Sequence, residues 1–407
     1  MKHILRIVIW SEWLILPASA YGADFPELLQ RLDQHPALEA ARQQALADEA
    51  GAKGAAPLPD PMVMLGINNY PADGSGGFDR FAMTNKTLGF EQVIPTPGVR
   101  RHTRESQQKL AAKAALAVEL TRQRLQAALV DALAARRRIA AQRQILLKER
   151  KLLVQEGAYW DGQLEGGATA LDERAEVDAE SAELEAKLAA LEAADAEAKA
   201  NLESLVGTPE TVAVPLAQAL PLPAPGQLDG VFPVQLAAQD VAAARADVAV
   251  ARAAYWPSYK IGMTYSQRSN SGSFDGGDWV SAKVGVSVPL WAAGSQSPRL
   301  EAAKARLAAA KSRLADARRT WLHTLTALRA RITQAQTTEQ ALAAKLKAMK
   351  ARSEALMNAY TSGGSLSQSL TVERRALMVS YQLAQVRSDK ISLVADYNSY
   401  FNSVSEK

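Results

Sequence analysis

Apolar residues recur at every seventh position through long stretches of this chain, and that spacing predicts rods rather than globular helices. From Pro298 to Tyr360 neither Gly nor Pro intervenes, while Leu300, Leu307, Leu314, Trp321, Leu328, Ala335, Leu342, Met349 and Leu356 mark a heptad seam. Roughly 60 residues at about 1.5 Å each make a rod on the order of 90 Å, which needs partners along its whole length. Leu125, Ala132, Ile139, Leu146 and Leu153 repeat the spacing earlier in the chain, and Val177, Leu184, Leu191, Ala198 and Leu205 carry it on a returning helix. Alanine beside leucine permits close helix packing.

A second period, of two, appears where the rods begin. Tyr259, Ile261, Met263 and Tyr265 alternate with Lys260, Gly262, Thr264 and Ser266, and Val280, Ala282, Val284, Val286 and Val288 alternate with Ser281, Lys283, Gly285 and Ser287. Such alternation predicts strands with one apolar and one polar face. It fits a bilayer-spanning barrel and a soluble sheet with one wet face equally well. A less regular pair is expected earlier in the chain, and Gly, Ser and Asp fill the loops at 71–80 and 269–278 as exposed turns do.

The two patterns occur twice. Leu65-Gly66 returns as Ile261-Gly262, Leu88-Gly89-Phe90 as Val284-Gly285-Val286, Pro97-Gly98 as Ala293-Gly294, and Gly166-Gly167 as Gly363-Gly364. The nearly constant offset predicts an internal two-fold repeat. The first copy covers 21–207, with strands at about 62–70 and 83–94 and long helices at about 99–160 and 168–206. A Pro-rich stretch at 208–233 reads as a linker. The second copy covers 234–407, with strands at about 258–268 and 279–289 and helices at about 298–360 and 366–403. Prolines cluster where strand meets helix, at Pro57, Pro59, Pro61, Pro95, Pro97, Pro257, Pro289 and Pro298. Pro is tolerated in a first helical turn, so the chain bends there without losing internal helix bonds.

Composition narrows the class. Lys2 and Arg6, the apolar run from Ile7 to Leu16 and Ala18-Ser19-Ala20 read as a signal peptide over 1–20, with Glu12 a defect in that run. No later segment is apolar enough for a spanning helix, so a membrane crossing must be a barrel. The chain has no cysteine, which excludes disulfides, thiolate metal sites and a lipidated N-terminal Cys. Its net charge of +4 is a small difference between 47 basic and 43 acidic residues, with no basic patch to suggest nucleic acid. His3, His35, His102 and His323 are scattered, and no nucleophile or phosphate-loop motif appears, so neither an enzyme nor a cofactor is expected. Met62, Met64, Met83 and Met263 lie on apolar strands and read as packing or lipid-facing residues rather than metal ligands.

Four strands per chain cannot close a barrel, and open edges cannot face lipid. A cyclic homotrimer would supply twelve strands continuous with twelve helices. This architecture resembles the TolC family of outer-membrane efflux proteins over nearly the whole mature chain. The stretches LPDPMVMLGINNYP (58–71) and GFEQVIPTPGVRR (89–101) resemble its heavy-metal branch, the CzcC and CusC relatives. The resemblance implies a mainly α-helical coiled-coil tunnel in the periplasm under a 12-stranded barrel in the outer membrane. It also implies a periplasmic adaptor and an inner-membrane resistance-nodulation-division type pump as partners.

The turns at Gly166-Gly167 and Gly363-Gly364 would then form the adaptor-facing tips. By local match to the family, Asp172 and Tyr360 would join the network that closes the aperture, with helix capping or plain solvation as the competing account of each. Glu373 is the nearest carboxylate to the family's aperture aspartates, where Ser369 and Val372 stand here, and Ser365 stands near the family's tip arginine. Lys86, Lys260 and Lys283 are expected to face a lumen, or simply a wet sheet face. Tyr70, Tyr265 and Trp279 suit an interfacial aromatic girdle. Two rivals stay open at this level: a soluble periplasmic scaffold, which has no use for bilayer-length strands, and a passive diffusion channel, which has none for long rods.

Overall fold

A computed structural model describes residues 24–209, 212–214, 216–270, 277–360 and 366–402. The expected signal peptide and the second tip glycines, Gly363 and Gly364, lie outside these residues. Seven helices and four strands occur among the described residues, in an order that repeats. A short α1 (Phe25–Leu32) precedes the first copy: α2 (Pro36–Gly54), β1 (Met62–Asn68), β2 (Asn85–Ile94), α3 (Val99–Glu165) and α4 (Leu171–Val206). The second copy follows as α5 (Phe232–Ala253), β3 (Ser258–Arg268), β4 (Trp279–Ser287), α6 (Gln296–Tyr360) and α7 (Leu366–Ser399).

Helix starts follow local chemistry. Pro occupies the first turns of α1, α2 and α5, where no backbone donor is lost. The His35 Nδ1 accepts from the Ala37 amide at 3.1 Å and caps α2. The 67 residues of α3 reach about 100 Å. It starts after Gly98, whose φ of +87° favours glycine and turns the chain out of β2.

The sheet runs β1-β2-β3-β4, antiparallel throughout, and the β2–β3 pairing joins the two copies. Beside and below it the helices pack side by side in one layer. The upper order is α2, α3, α5, α6 and the lower is α4, α3, α7, α6, with no contact between α6 and either α2 or α4 among the described residues. Each chain therefore ends laterally in two different open edges.

Burial separates the seams. Ile139, Leu146 and Leu153 of α3 and Val177, Leu184 and Leu191 of α4 are buried against one another. By contrast, the nine heptad residues of α6 from Leu300 to Leu356 are all only half-buried. The helix's buried residues are Ala303, Ala310, Leu325 and Ile332, three or four places after seam residues and so on the adjoining side of the helix. Leu314, Trp321 and Leu328 spend their covered half against the chain's own cluster around Leu325 and Tyr397, and the rest of the stripe's surface stays open.

The Pro-rich stretch differs from a free linker. Leu228 and Val231 are buried against Leu325, Ile332 and Tyr397. The Asn398 side chain accepts from the Leu220 amide at 3.0 Å and donates to the Gln218 carbonyl at 2.9 Å, while Arg329 donates to the Ala219 carbonyl at 3.1 Å. Proline spends no amide donors, so the segment can lie as a strap across α6 and α7 with its carbonyls met by side chains.

Candidate functional site

Two regions carry the chemistry: the sheet, and the lower ends of the helices. In an antiparallel pair directly opposed residues share a face. Val63, Phe90, Met263 and Ala282 therefore align on one face, as do Leu65, Leu88, Tyr265 and Val280. This face is apolar and exposed, with Leu65 at 83% and Val284 at 73%. The opposite face carries Thr87, Glu91, Lys260, Thr264 and Lys283, and Lys260 Nζ lies 2.7 Å from Glu91 Oε1. The 11 residues of β3, tilted as barrel strands are, span about 25 Å, the height of an outer-membrane apolar band.

The register corrects one expectation. Lys86 pairs with Ile67 and Gln267, so it belongs to the apolar face, opposite Lys260 and Lys283. It sits at the loop end of β2 and turns its ammonium over the Phe78 ring, 4.3 Å from the centroid. Tyr70 packs on the same ring. A lysine at the border of an apolar face, with its head on an aromatic ring, keeps its charge solvated while its stem covers apolar surface. Beyond the other ends of the strands Trp256 and Trp291 are 67% and 80% exposed, whereas Trp279, paired with Ser266, lies on the face of Lys260 and Lys283.

At the lower ends, α3 closes on Gly166 and Gly167. The Gly166 amide donates to the Gly162 carbonyl at 3.1 Å and the Ala168 amide to the Gln163 carbonyl at 3.0 Å. Gly167 has φ +86°, the left-handed conformation this reversal requires. Asp172 is exposed in the first turn of α4, where the helix dipole favours a carboxylate. Tyr360 ends α6 and is 43% exposed. Because α4 and α6 lie on opposite edges, no hydrogen bond joins Asp172 to Tyr360 among the described residues of one chain. Ser369 and Val372 are buried and Glu373 is half-buried.

An ion-pair node ties the lower ends of the helices together. Arg374 of α7 donates to Glu156 of α3 at 2.9 Å and pairs with Glu180 of α4, tying three helices together. Burial opposes the charge on Arg374, but the bonds to Glu180 and Glu156 outweigh it and raise the guanidinium's pKa. One heptad above Glu156, Glu149 is nine-tenths buried and its pKa is raised, first by that burial; Lys187 and Arg374 oppose the shift, and Glu180 and Glu183 add to it. The signal was present in the chain. Gln142, Glu149 and Glu156 repeat every seventh residue, each three places after Ile139, Leu146 and Leu153, so polar groups occupy one of the two stripes that point inward.

Residues 232–402 match the family model described as "Outer membrane efflux protein". No curated protein matches the chain. Among solved structures, the outer-membrane protein VceC from Vibrio cholerae is 18% identical, with TM-score 0.73, covering 92% of this chain and 95% of its own. The outer-membrane channel OprN is 22% identical with TM-score 0.74, covering 92% and 89%. CusC, described as forming a transmembrane channel, is 16% identical with TM-score 0.76, covering 96% of each. The fold is therefore that of solved outer-membrane channels, over nearly the full length of both partners.

Proposed function

We propose that the chain is one protomer of a trimeric outer-membrane exit duct, taking substrates from an inner-membrane pump and a periplasmic adaptor to the exterior. The observation that carries this reading is the pair of unlike open edges. One edge presents β1, α2 and α4, and the other presents β4 and the half-buried heptad of α6. Unlike edges pair head to tail, and a head-to-tail contact that closes makes a ring. Ring closure joins β4 to the next chain's β1, removes every strand edge and covers the half of the α6 stripe that the chain's own packing leaves open. The apolar sheet face then meets lipid, while Glu91, Lys260 and Lys283 line the lumen. Asp172 and Tyr360 can meet only between neighbouring chains, which is where a closing network would act, and the glycine turns form the adaptor-facing tips.

An exposed apolar face about 25 Å tall argues against a soluble scaffold. Helices of about 100 Å argue against a simple diffusion channel, which needs the barrel alone. Within this reading, heavy-metal cations are the substrate class favoured by the stretches at 58–71 and 89–101. The test is membrane fractionation with unheated electrophoresis. A heat-sensitive trimer in the outer membrane, with copper or zinc resistance lost on deletion of either the duct or its adaptor, is expected. A monodisperse soluble monomer overturns the duct, and a deletion that sensitises cells to organic compounds but not to metals overturns the substrate class.

A further inference from the structure

Above the tip, α3, α4 and α7 enclose a cavity of about 390 Å³. Glu149, Glu156, Glu173, Glu176 and Glu180 line it, against the two cations Arg374 and Arg375. Arg374 is committed to Glu156 and Glu180, and no ion pair or hydrogen bond engages Glu149, Glu173 or Glu176 among the described residues. Glu149 is the telling member. Nine-tenths buried, it lines the cavity, and no hydrogen bond or ion pair engages its carboxylate among the described residues, with Lys187 and Arg374 acting on it only as nearby charges. A buried charge without a partner is costly, so such a group either holds a proton or awaits a cation.

The shape of the cleft selects the cation. Glu149 and Trp160, which line opposite ends, are 11 residues apart on α3, or about 16 Å, so the negative charge is drawn out along a line. Among the described residues no three acidic or histidine side chains converge closely enough to hold a metal ion. Trp160 and Met378 add apolar wall beside the carboxylates. Spaced carboxylates with apolar surface beside them complement spaced ammonium groups joined by methylenes. We propose that this cleft binds a linear polyamine, with one ammonium on Glu149 and the chain laid along α3 toward Trp160. The site goes beyond the duct reading and does not depend on it, since binding is measured on the purified chain without pump or adaptor.

The experiment titrates spermidine into the purified full-length protein by calorimetry, with magnesium chloride at matched ionic strength as the control. One saturable site per chain is expected, at least about tenfold weaker in Glu149→Gln, because a charge-assisted bond is lost. Trp160→Phe should weaken binding less and leave assembly unchanged. Equal heats from magnesium, or undiminished binding by Glu149→Gln, overturn the site and reduce the effect to counter-ions on an acidic surface. Should Glu149→Gln fail to fold, the unmodified protein decides. A polyamine on an ionised Glu149 must be lost over the pH interval in which that carboxylate takes up its proton, which burial moves above the usual carboxylate range. Affinity that does not change over that interval overturns the proposal.

Discussion

Replacing Arg374 by Leu should loosen the lower third of the helical layer while leaving the sheet intact. The guanidinium is 17% exposed and its partner Glu156 only 7%, so the change strands a carboxylate among three packed helices. Breaking a buried pair by removing one partner costs about 3–5 kcal/mol. With Glu180 one-third exposed and able to reach water, the lower end, about 3 kcal/mol, applies here. Carried by a local opening of α3 against α4 and α7, that is roughly a 150-fold rise in the opening constant. Hydrogen-exchange mass spectrometry on peptides covering 149–160 and 171–180 reads this directly. Substituting both partners, Glu156→Leu with Arg374→Leu, should restore at least half of the lost protection, since a matched apolar pair leaves no stranded charge. Lys113→Met is the control. It breaks the Lys113–Asp240 pair higher on α3, whose side chains are 38% and 40% exposed, at a cost of about 0–1 kcal/mol, and should leave the tip peptides unchanged. Exchange in Arg374→Leu within roughly threefold of the unmodified protein would refute the reasoning, because the pair would then contribute no more than a surface contact.

The remaining expectations follow from edges and faces. Leu314→Asp with Leu328→Asp places charges in the half-buried α6 stripe, beside the chain's own core cluster, and should abolish the trimer band on unheated gels; normal yield would mean that the stripe makes no contact between chains. Since the chain has no cysteine, single-cysteine variants map the sheet cleanly: Leu88→Cys and Met263→Cys should react with a membrane-soluble maleimide, and Thr264→Cys and Lys283→Cys with a charged one. Reversed labelling would invert the barrel. Asp172→Ala with Tyr360→Phe removes the proposed closing bond, worth roughly 1.5–3 kcal/mol, and should raise single-channel conductance with assembly intact. Conductance equal to that of the unmodified trimer would return both residues to a solvated role.

Periodicity by itself determined the repeat, the four strands and the long helices, because heptads and alternation are local statements about which residues a regular backbone turns the same way. Proline and glycine placed the joints for the same reason, since they act on their own φ and their own amide. Which strand faces a residue across the sheet is not local. Lys86 looked like Lys260 and Lys283 in the chain; period two ties it to Leu88 and Phe90, and the pairing shows which residues of β1 and β3 share that face. The stretch at 208–233 had the composition of a linker because proline reads the same in a tether and in a packed crossing; the burial of its Leu228 and Val231 against Tyr397 is a tertiary fact. The node of Glu149, Glu156, Glu180 and Arg374 draws on residues more than 200 positions apart. The heptad marked Glu149 and Glu156 as inward-facing polar groups, but only the packing of α7 against α3 decided that an arginine would meet one of them and leave the other without a partner.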